Sequence, residues 1–378
     1  MNHDFQRILV RGVNWLGDAV MTTPALQRLR EAHPAAHITL LTPAKLAELW
    51  TRDPAVDAVL AFEPTESLWA VAGRLRAQRC DVALVLPNSP RSALETFLAR
   101  IPVRIGRAGA WRNIFLTRAV VPRSDAVRMH KRGVAEIRAR LDALPRPARA
   151  TFPAGAHHLH DYLYLVAALG GHRAPLPPRL VVTAEEVAAV RQRWGAPATP
   201  GQPPLLGLNA GAEYGPAKRW PESHFVAAAA ALQREFGCHC WIFGGRGDMA
   251  LAGRIAAGLR AAGGGAPESV RNLAGATTLR ELLAALRACD VVLTNDTGPM
   301  HVAAAVGTPV VVPFGSTSPE LTGPGLPGDA RHALIAGDVP CAPCFRRECP
   351  VDFRCMAAVS VERVVEALRR ILAAGPRG

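Results

Sequence analysis

No stretch of the chain approaches the roughly 18 uninterrupted apolar residues that a membrane-crossing helix needs, although hydrophobic residues make up 49% of its 378 residues. That absence excludes an integral helical membrane protein. The opening MNHDFQRILVRGVNWLGD carries an early acid, and its apolar run is broken by Arg11, so it reads as a first strand and not as a signal peptide. Solenoid-type repeats are missing, as are helix-turn-helix, zinc-finger and RNP-type patterns, which leaves nucleic-acid binding without a motif. No G-x-x-x-x-G-K-[ST] is present, and no G-x-G-x-x-G follows the first strand of either half. P-loop phosphoryl transfer and nicotinamide binding therefore lose their usual signatures. The D-x-D pair of metal-dependent sugar transferases is also absent.

What is present is positive charge and a regular alternation of patterns. The formal net charge is +13, with arginine far outnumbering lysine, and this points to an anionic partner. The apolar runs RILVRGV, HITLLTP, AVLAF, DVALVLP and VRIGR alternate with helical patterns through the first half. LLGLNAG, CWIFGG, RNLAG, VVLTND and PVVVPFG do so through the second. Alternation of this kind predicts parallel sheets covered by helices, in two doubly wound α/β domains. The proline-dense GAPATPGQPP marks a linker between them. The boundaries expected are 1–185 for the N-terminal domain, 186–204 for the linker, 205–357 for the C-terminal domain and 358–378 for a final amphipathic helix.

In open α/β sheets ligands gather beyond the carboxyl ends of the strands, so the loops after each apolar run are the ones to read. The first is RGVNWLGDAVMTTPAL, where Asp18 opens a helix. It is either a cap favoured by the helix dipole or a general base for an acceptor hydroxyl. Trp15 stands three residues earlier and either walls that pocket or joins the core. The second loop, LNAGAEYGPAKRWP, combines small residues that let a backbone approach a ligand with Lys218 and Arg219 for phosphate oxygens. Glu213, Tyr214 and, further on, Asp248 are further candidates there. The third, NDTGPMHVAAAVGTP, begins a helix at Gly298-Pro299, where exposed N–H groups form an anion site, with Asp296, Thr297 and His301 around it.

The strings GDAVMTTPAL, PNSPRSAL, GAEYGPAKRWP, NLAGATTL and NDTGPMHVAAAVGTP resemble those of glycosyltransferase family 9, in particular its ADP-heptose:lipopolysaccharide heptosyltransferase II branch. The resemblance runs from about residue 7 to the C-terminal helix. It implies a GT-B fold, two Rossmann-like domains facing across a cleft, with the final helix returning to the N-terminal domain. It also implies an inverting transfer of L-glycero-D-manno-heptose from ADP-heptose to the first heptose of the lipopolysaccharide inner core. Asp18 falls where the family's proposed base lies. Lys218, Asp296, Thr297, Gly298 and His301 fall where the donor phosphates lie, and Glu213 is placed with them. Acceptor-side candidates are Asn88, Ser89, Arg91 and Arg107. No metal is implied for catalysis. The partner would be a phosphorylated lipid A–Kdo–heptose acceptor, met by a cytoplasmic protein peripheral to the inner membrane, without nucleic acid.

Four cysteines, Cys341, Cys344, Cys349 and Cys355, crowd together in CAPCFRRECPVDFRC. They are a structural zinc set or unliganded thiols in a packed loop. Cys80, Cys238, Cys240 and Cys289 lie in or beside apolar runs and are expected to be buried. His157, His158 and His160 are expected to be solvated or to face the acceptor. Competing readings of the whole chain are another family 9 transferase, a nucleotide-sugar epimerase of similar architecture, and an RNA-binding protein suggested by charge alone.

Overall fold

The computed structural model describes residues 5–196, 202–263 and 266–374. Two compact units emerge, each around its own six-stranded parallel sheet. In the N-terminal unit the strands are β1 (Arg7–Arg11), β2 (His37–Pro43), β3 (Ala58–Phe62), β4 (Val82–Val85), β5 (Val103–Arg107) and β6 (Arg118–Val120), in the order β3-β2-β1-β4-β5-β6. The C-terminal unit has β7 (Leu205–Asn209), β8 (His239–Ile242), β9 (Val270–Asn272), β10 (Val291–Thr294), β11 (Val310–Phe314) and β12 (Ala333–Ala336). Their order is β12-β11-β10-β7-β8-β9. Counted from its own first strand, each sheet runs 3-2-1-4-5-6, the doubly wound order whose direction of growth reverses beside strand 1.

The central strands are apolar runs because helices cover both faces of the sheet. β4, β7, β10 and β11 are buried along their whole lengths. One cluster of the N-terminal core joins Leu9, Leu41, Phe62, Val71, Leu75, Ala83 and Ile101. A larger cluster in the C-terminal unit gathers Leu206, Trp220, Phe225, Ile242, Ile255 and Leu293. Each of the ten predicted apolar runs is a strand. β6 and β12 are additions, and β6 escaped notice because it has three residues, none of them fully buried.

Three boundaries differ from the sequence expectation. Residues 127–154 belong to the C-terminal unit: Ile137 packs with Val339, Cys344 and Met356, and Arg132 Nη1 donates to the Cys341 carbonyl at 2.8 Å. The linker expected over 186–204 begins as helix Ala184–Trp194, started by a Thr183/Glu186 capping box. Arg191 ties that helix to the Ala288 carbonyl at 2.6 Å, within the same unit. The rest of the linker includes residues 197–201, which lie outside the described residues. The final helix, Val361–Ala373, expected with the N-terminal domain, is part of the C-terminal unit. Val364, Val365 and Leu368 close the C-terminal core beside Leu293 and Val311. Among the described residues no helix is long and apolar enough to cross a membrane.

Candidate active site

In the C-terminal unit, β7 and β10 are neighbours in register, with Asn209 opposite Thr294. The loops leaving them therefore meet where the strand order reverses. Asn209 Nδ2 donates to Thr294 Oγ1 at 3.1 Å. Asn295 then fastens the glycine-containing loop to β10: its Nδ2 donates to the Ala210 carbonyl at 2.7 Å, and its Oδ1 accepts the Trp220 N–H at 3.0 Å.

This framework brings Lys218, Asp296 and His301 together. Lys218 Nζ stands 2.7 Å from Asp296 Oδ2, with both side chains largely buried, and Thr317 Oγ1 donates to the same oxygen at 2.6 Å. His301, on the first turn of helix Gly298–Ala305, is buried. Burial pushes its imidazole down to about 4, with Asp296 opposing that shift and Lys218 adding to it. It is neutral near pH 7 and offers an N–H without a charge. Thr297 is the N-cap of the same helix, yet its side chain makes no cap bond. Thr297 and Gly298 are partly exposed at the helix start, as an anion site requires.

The lysine loop is braced from the cysteine-rich segment. Tyr214 OH donates to the Phe345 carbonyl at 2.9 Å, and both Lys218 and Arg347 lie 5.0 Å from the Tyr214 ring centre. Gly215 has φ 151, and a Cβ there would stand 2.5 Å from the Arg347 carbonyl oxygen, so only glycine fits. Gly211 is pressed against Asp248, whose carboxylate would meet a Cβ at 2.6 Å. Asp248 thereby supports the loop, while Glu213 is exposed. The lysine, aspartate and histidine were legible in sequence. Thr317 and Arg347 were not singled out, although Thr317 follows β11 at the same edge of the sheet and the same loop rule would have found it.

The N-terminal unit repeats the arrangement beyond β1 and β4, again neighbours. Arg11 is buried at the end of β1 and donates from Nε to Glu95 at 2.8 Å. Its Nη1 reaches Asn14 Oδ1 at 3.0 Å, which sets the turn ahead of helix Leu16–Ala32. Asp18 lies in the first turn of that helix, partly exposed. Tyr162 is close enough that its phenol is pushed well up, first by burial and then by the carboxylates of Asp18 and Asp161. Trp15 is 45% exposed and so lies at the surface, outside the core, with the Lys45 ammonium 5.7 Å from its ring.

The remaining acceptor-side candidates have individual fates. Ser89 caps helix Pro90–Leu98. Arg91 is engaged by Glu95 at 3.3 Å and by the Glu66 carbonyl at 2.8 Å. Arg107 pairs with Asp161 at 3.4 Å. Asn88 Oδ1 accepts from Arg112 at 3.4 Å, a residue the sequence reading passed over because one arginine among so many carries no signal. His157 is buried and accepts the Leu159 N–H, so the expectation of a solvated or acceptor-facing residue fails for it. Cys80, Cys238, Cys240 and Cys289 are buried as expected.

The four clustered cysteines are not arranged as a ligand set. Among the described residues no three His, Cys, Asp or Glu groups are gathered so as to hold a metal. Cys341, Cys344 and Cys355 instead pack in an apolar cluster with Ile137 and Met356. Burial pushes the Cys355 thiol up to about 12.

Comparison with known proteins places this geometry. The lipopolysaccharide heptosyltransferase 2 of Salmonella typhimurium is 33% identical over 333 residues, spanning 84% of this chain and 85% of the relative. The lipooligosaccharide heptosyltransferase 2 of Haemophilus influenzae is 31% identical over 326 residues, spanning 84% and 85%. The solved structure of the Escherichia coli ADP-heptose lps heptosyltransferase II superposes with a TM-score of 0.77 at 28% identity, covering 97% of this chain and 99% of that one. The two Rossmann-like units are thus those of the GT-B fold. The model of glycosyltransferase family 9 (heptosyltransferase) matches residues 118–353, a span that takes in β7 to β12 with Lys218, Asp296 and His301, and the chain belongs to this family.

Proposed function

We propose that the enzyme transfers a heptose, with inversion, from ADP-heptose to the first heptose of the lipopolysaccharide inner core. The observation that carries this reading is the Lys218–Asp296 pair held at the strand reversal of the C-terminal sheet, in a chain whose relatives are heptosyltransferases. A diphosphate bound there would meet the Lys218 ammonium, the His301 N–H and the start of helix Gly298–Ala305. Asp296, with both Lys218 and Thr317 on one oxygen, serves as the positioning residue that aims the lysine.

In the reaction, Asp18 takes the proton of the acceptor hydroxyl as its oxygen attacks the anomeric carbon from the face opposite the diphosphate. The bond from that carbon to the diphosphate oxygen breaks, and its electron pair leaves with ADP. The developing charge falls on Lys218 and the helix N–H groups, which are fixed before the reaction begins. All of that stabilisation is assigned to protein groups, without a metal. Near Asp18, Tyr162 stays protonated and can donate a hydrogen bond to a carboxylate or a sugar oxygen. We assign the protein to the cytoplasmic face of the inner membrane as a peripheral partner, where a net charge of +13 suits an anionic leaflet.

The test is release of ADP by the purified protein given ADP-heptose and one of two acceptors, the first ending in a single heptose and the second in Kdo. Turnover with the first alone is the expected result. Turnover with the second alone would keep the family and remove the second-heptose assignment. Release with neither would overturn the proposal.

A further inference from the structure

At the amino ends of β2 and β3, the N-terminal unit contains a cavity of about 490 Å³, within the size range of small-molecule sites. One wall is a face of helix Leu16–Ala32, from which Thr23, Gln27, Arg30 and Glu31 line it at the spacing of one helical side. A second wall is the turn before β3, with Asp53 and Pro54. The third is the segment of Arg179 and Val181, pinned to the helix where the Arg179 N–H donates to Thr23 Oγ1 at 3.1 Å. Asp18 lies about 20 Å along the same helix from Glu31.

Four of the lining residues are charged, and two are already answered. Arg30 pairs with Asp57, and Glu31 with Arg28 at 2.6 Å. The other two are not. Asp53 is half-buried, and its Oδ1 accepts the Ala55 N–H at 2.9 Å. Burial raises its carboxyl above the usual value, the Ala55 N–H offsets part of that, and no cationic neighbour contributes. Arg179 is exposed, and among the described residues its guanidinium makes no hydrogen bond or ion pair. The rest of the lining is largely apolar, with Pro34, Pro54 and Val181. A desolvated carboxylate without a counter-charge is costly. Asp57, in the same turn, shows the answered alternative, with Arg30 and the Ile38 N–H on one oxygen.

We infer that this cavity is a binding site for a small zwitterion of the amino-acid class, its ammonium on Asp53, its carboxylate on Arg179 and its apolar body against the prolines and Val181. A ligand with one charge of each sign matches a wall with one unanswered charge of each sign. A lone cation would be opposed by Arg30 and Arg179, and a lone anion by Asp53 and Glu31. The site needs nothing of the donor or acceptor reading.

The experiment titrates the full chain, as wild type, Asp53→Asn and Arg179→Gln, with 6-aminohexanoate and with leucine. Hexylamine and hexanoate serve as single-charge versions of the first. By calorimetry, the better zwitterion should bind the wild type more tightly than hexylamine or hexanoate, and which of the two it is reports how far apart the charges are held. Asp53→Asn should weaken that zwitterion about 10- to 100-fold, and Arg179→Gln, which removes an exposed partner, about 2- to 5-fold. Hexylamine should lose affinity only in Asp53→Asn, and hexanoate only in Arg179→Gln. Asparagine keeps an acceptor for the Ala55 N–H and removes an uncompensated charge, so the ligand-free Tm of Asp53→Asn should equal or exceed that of the wild type. Binding of none of the four compounds, or affinities equal in all three proteins, would overturn the proposal. So would a lowered ligand-free Tm in Asp53→Asn, which would mean that the carboxylate already has its partner within the fold.

Discussion

The two sheets share one strand order, yet their reversal points differ in how their charges are satisfied. In the C-terminal unit Lys218 and Thr317 both meet Asp296 Oδ2 within 3 Å, Asn295 is tied to the backbone of the facing loop, and His301 is neutral. In the N-terminal unit, among the described residues, two nitrogens of Arg112 have no hydrogen-bond partner and Arg107 pairs with Asp161 at 3.4 Å. A site closed on itself can aim its groups before a ligand arrives. The contrast is one between a site whose polar groups are paired with each other and one whose buried arginine is not.

The largest effect should come from the reacting group. Asp18→Asn should lower kcat by about 10²- to 10⁴-fold while ADP-heptose still binds with unchanged affinity, as read by ADP release and by calorimetry. Retained turnover would reduce Asp18 to a helix cap.

Asp296→Asn would leave the Lys218 ammonium largely buried without its counter-charge, at a cost of about 3 kcal/mol, measurable in the urea midpoint. Replacing both partners with Lys218→Met and Asp296→Leu should recover most of that stability and none of the donor affinity, separating the pair's structural role from its catalytic one. A smaller loss, about 1 to 3 kcal/mol, is expected for Gly215→Ala, because its φ of 151 and the Arg347 carbonyl both exclude a Cβ. Since this loop carries Lys218, the donor KM should rise with it.

A separate effect is a pH dependence. Burial holds both His301 and His332 near 4, below an ordinary value of 6.5. Between those values the unfolded chain binds protons that the folded one refuses, so the histidine contribution to stability falls as pH drops from about 6.5 to 4 and is constant below, where the carboxylates take over. Thermal melts across that window should show the slope, and His332→Gln should flatten it in part. A flat wild-type profile would show that the imidazoles gain partners on protonation.

Much of this was legible in the chain because parallel strands buried on both faces are written as apolar runs. The loops after them are where an α/β sheet keeps its ligands. Lys218, Asp296 and His301 were found by that rule. The burial of Arg112 was not legible, since it is set by tertiary packing, and a sequence shows only neighbours along the chain. The final helix taught a related lesson. Its stripe of Val364, Val365 and Leu368 says that it docks and is silent about where. Four cysteines in one loop suggested a ligand set, but packing against Ile137 from the chain's first half turned three of them into core.

That same segment, residues 127–154, has a consequence for the order of synthesis. Arg132 binds a carbonyl 209 positions later, and at 5 to 20 residues per second a ribosome takes about 10 to 40 s to cover such a distance. For that interval Ile137 and Leu141 are exposed to water with their partners unmade. The C-terminal unit is therefore finished only when its last strands and loops reach back for a piece made long before, and a fragment cut to begin at residue 205 would lack part of its own core.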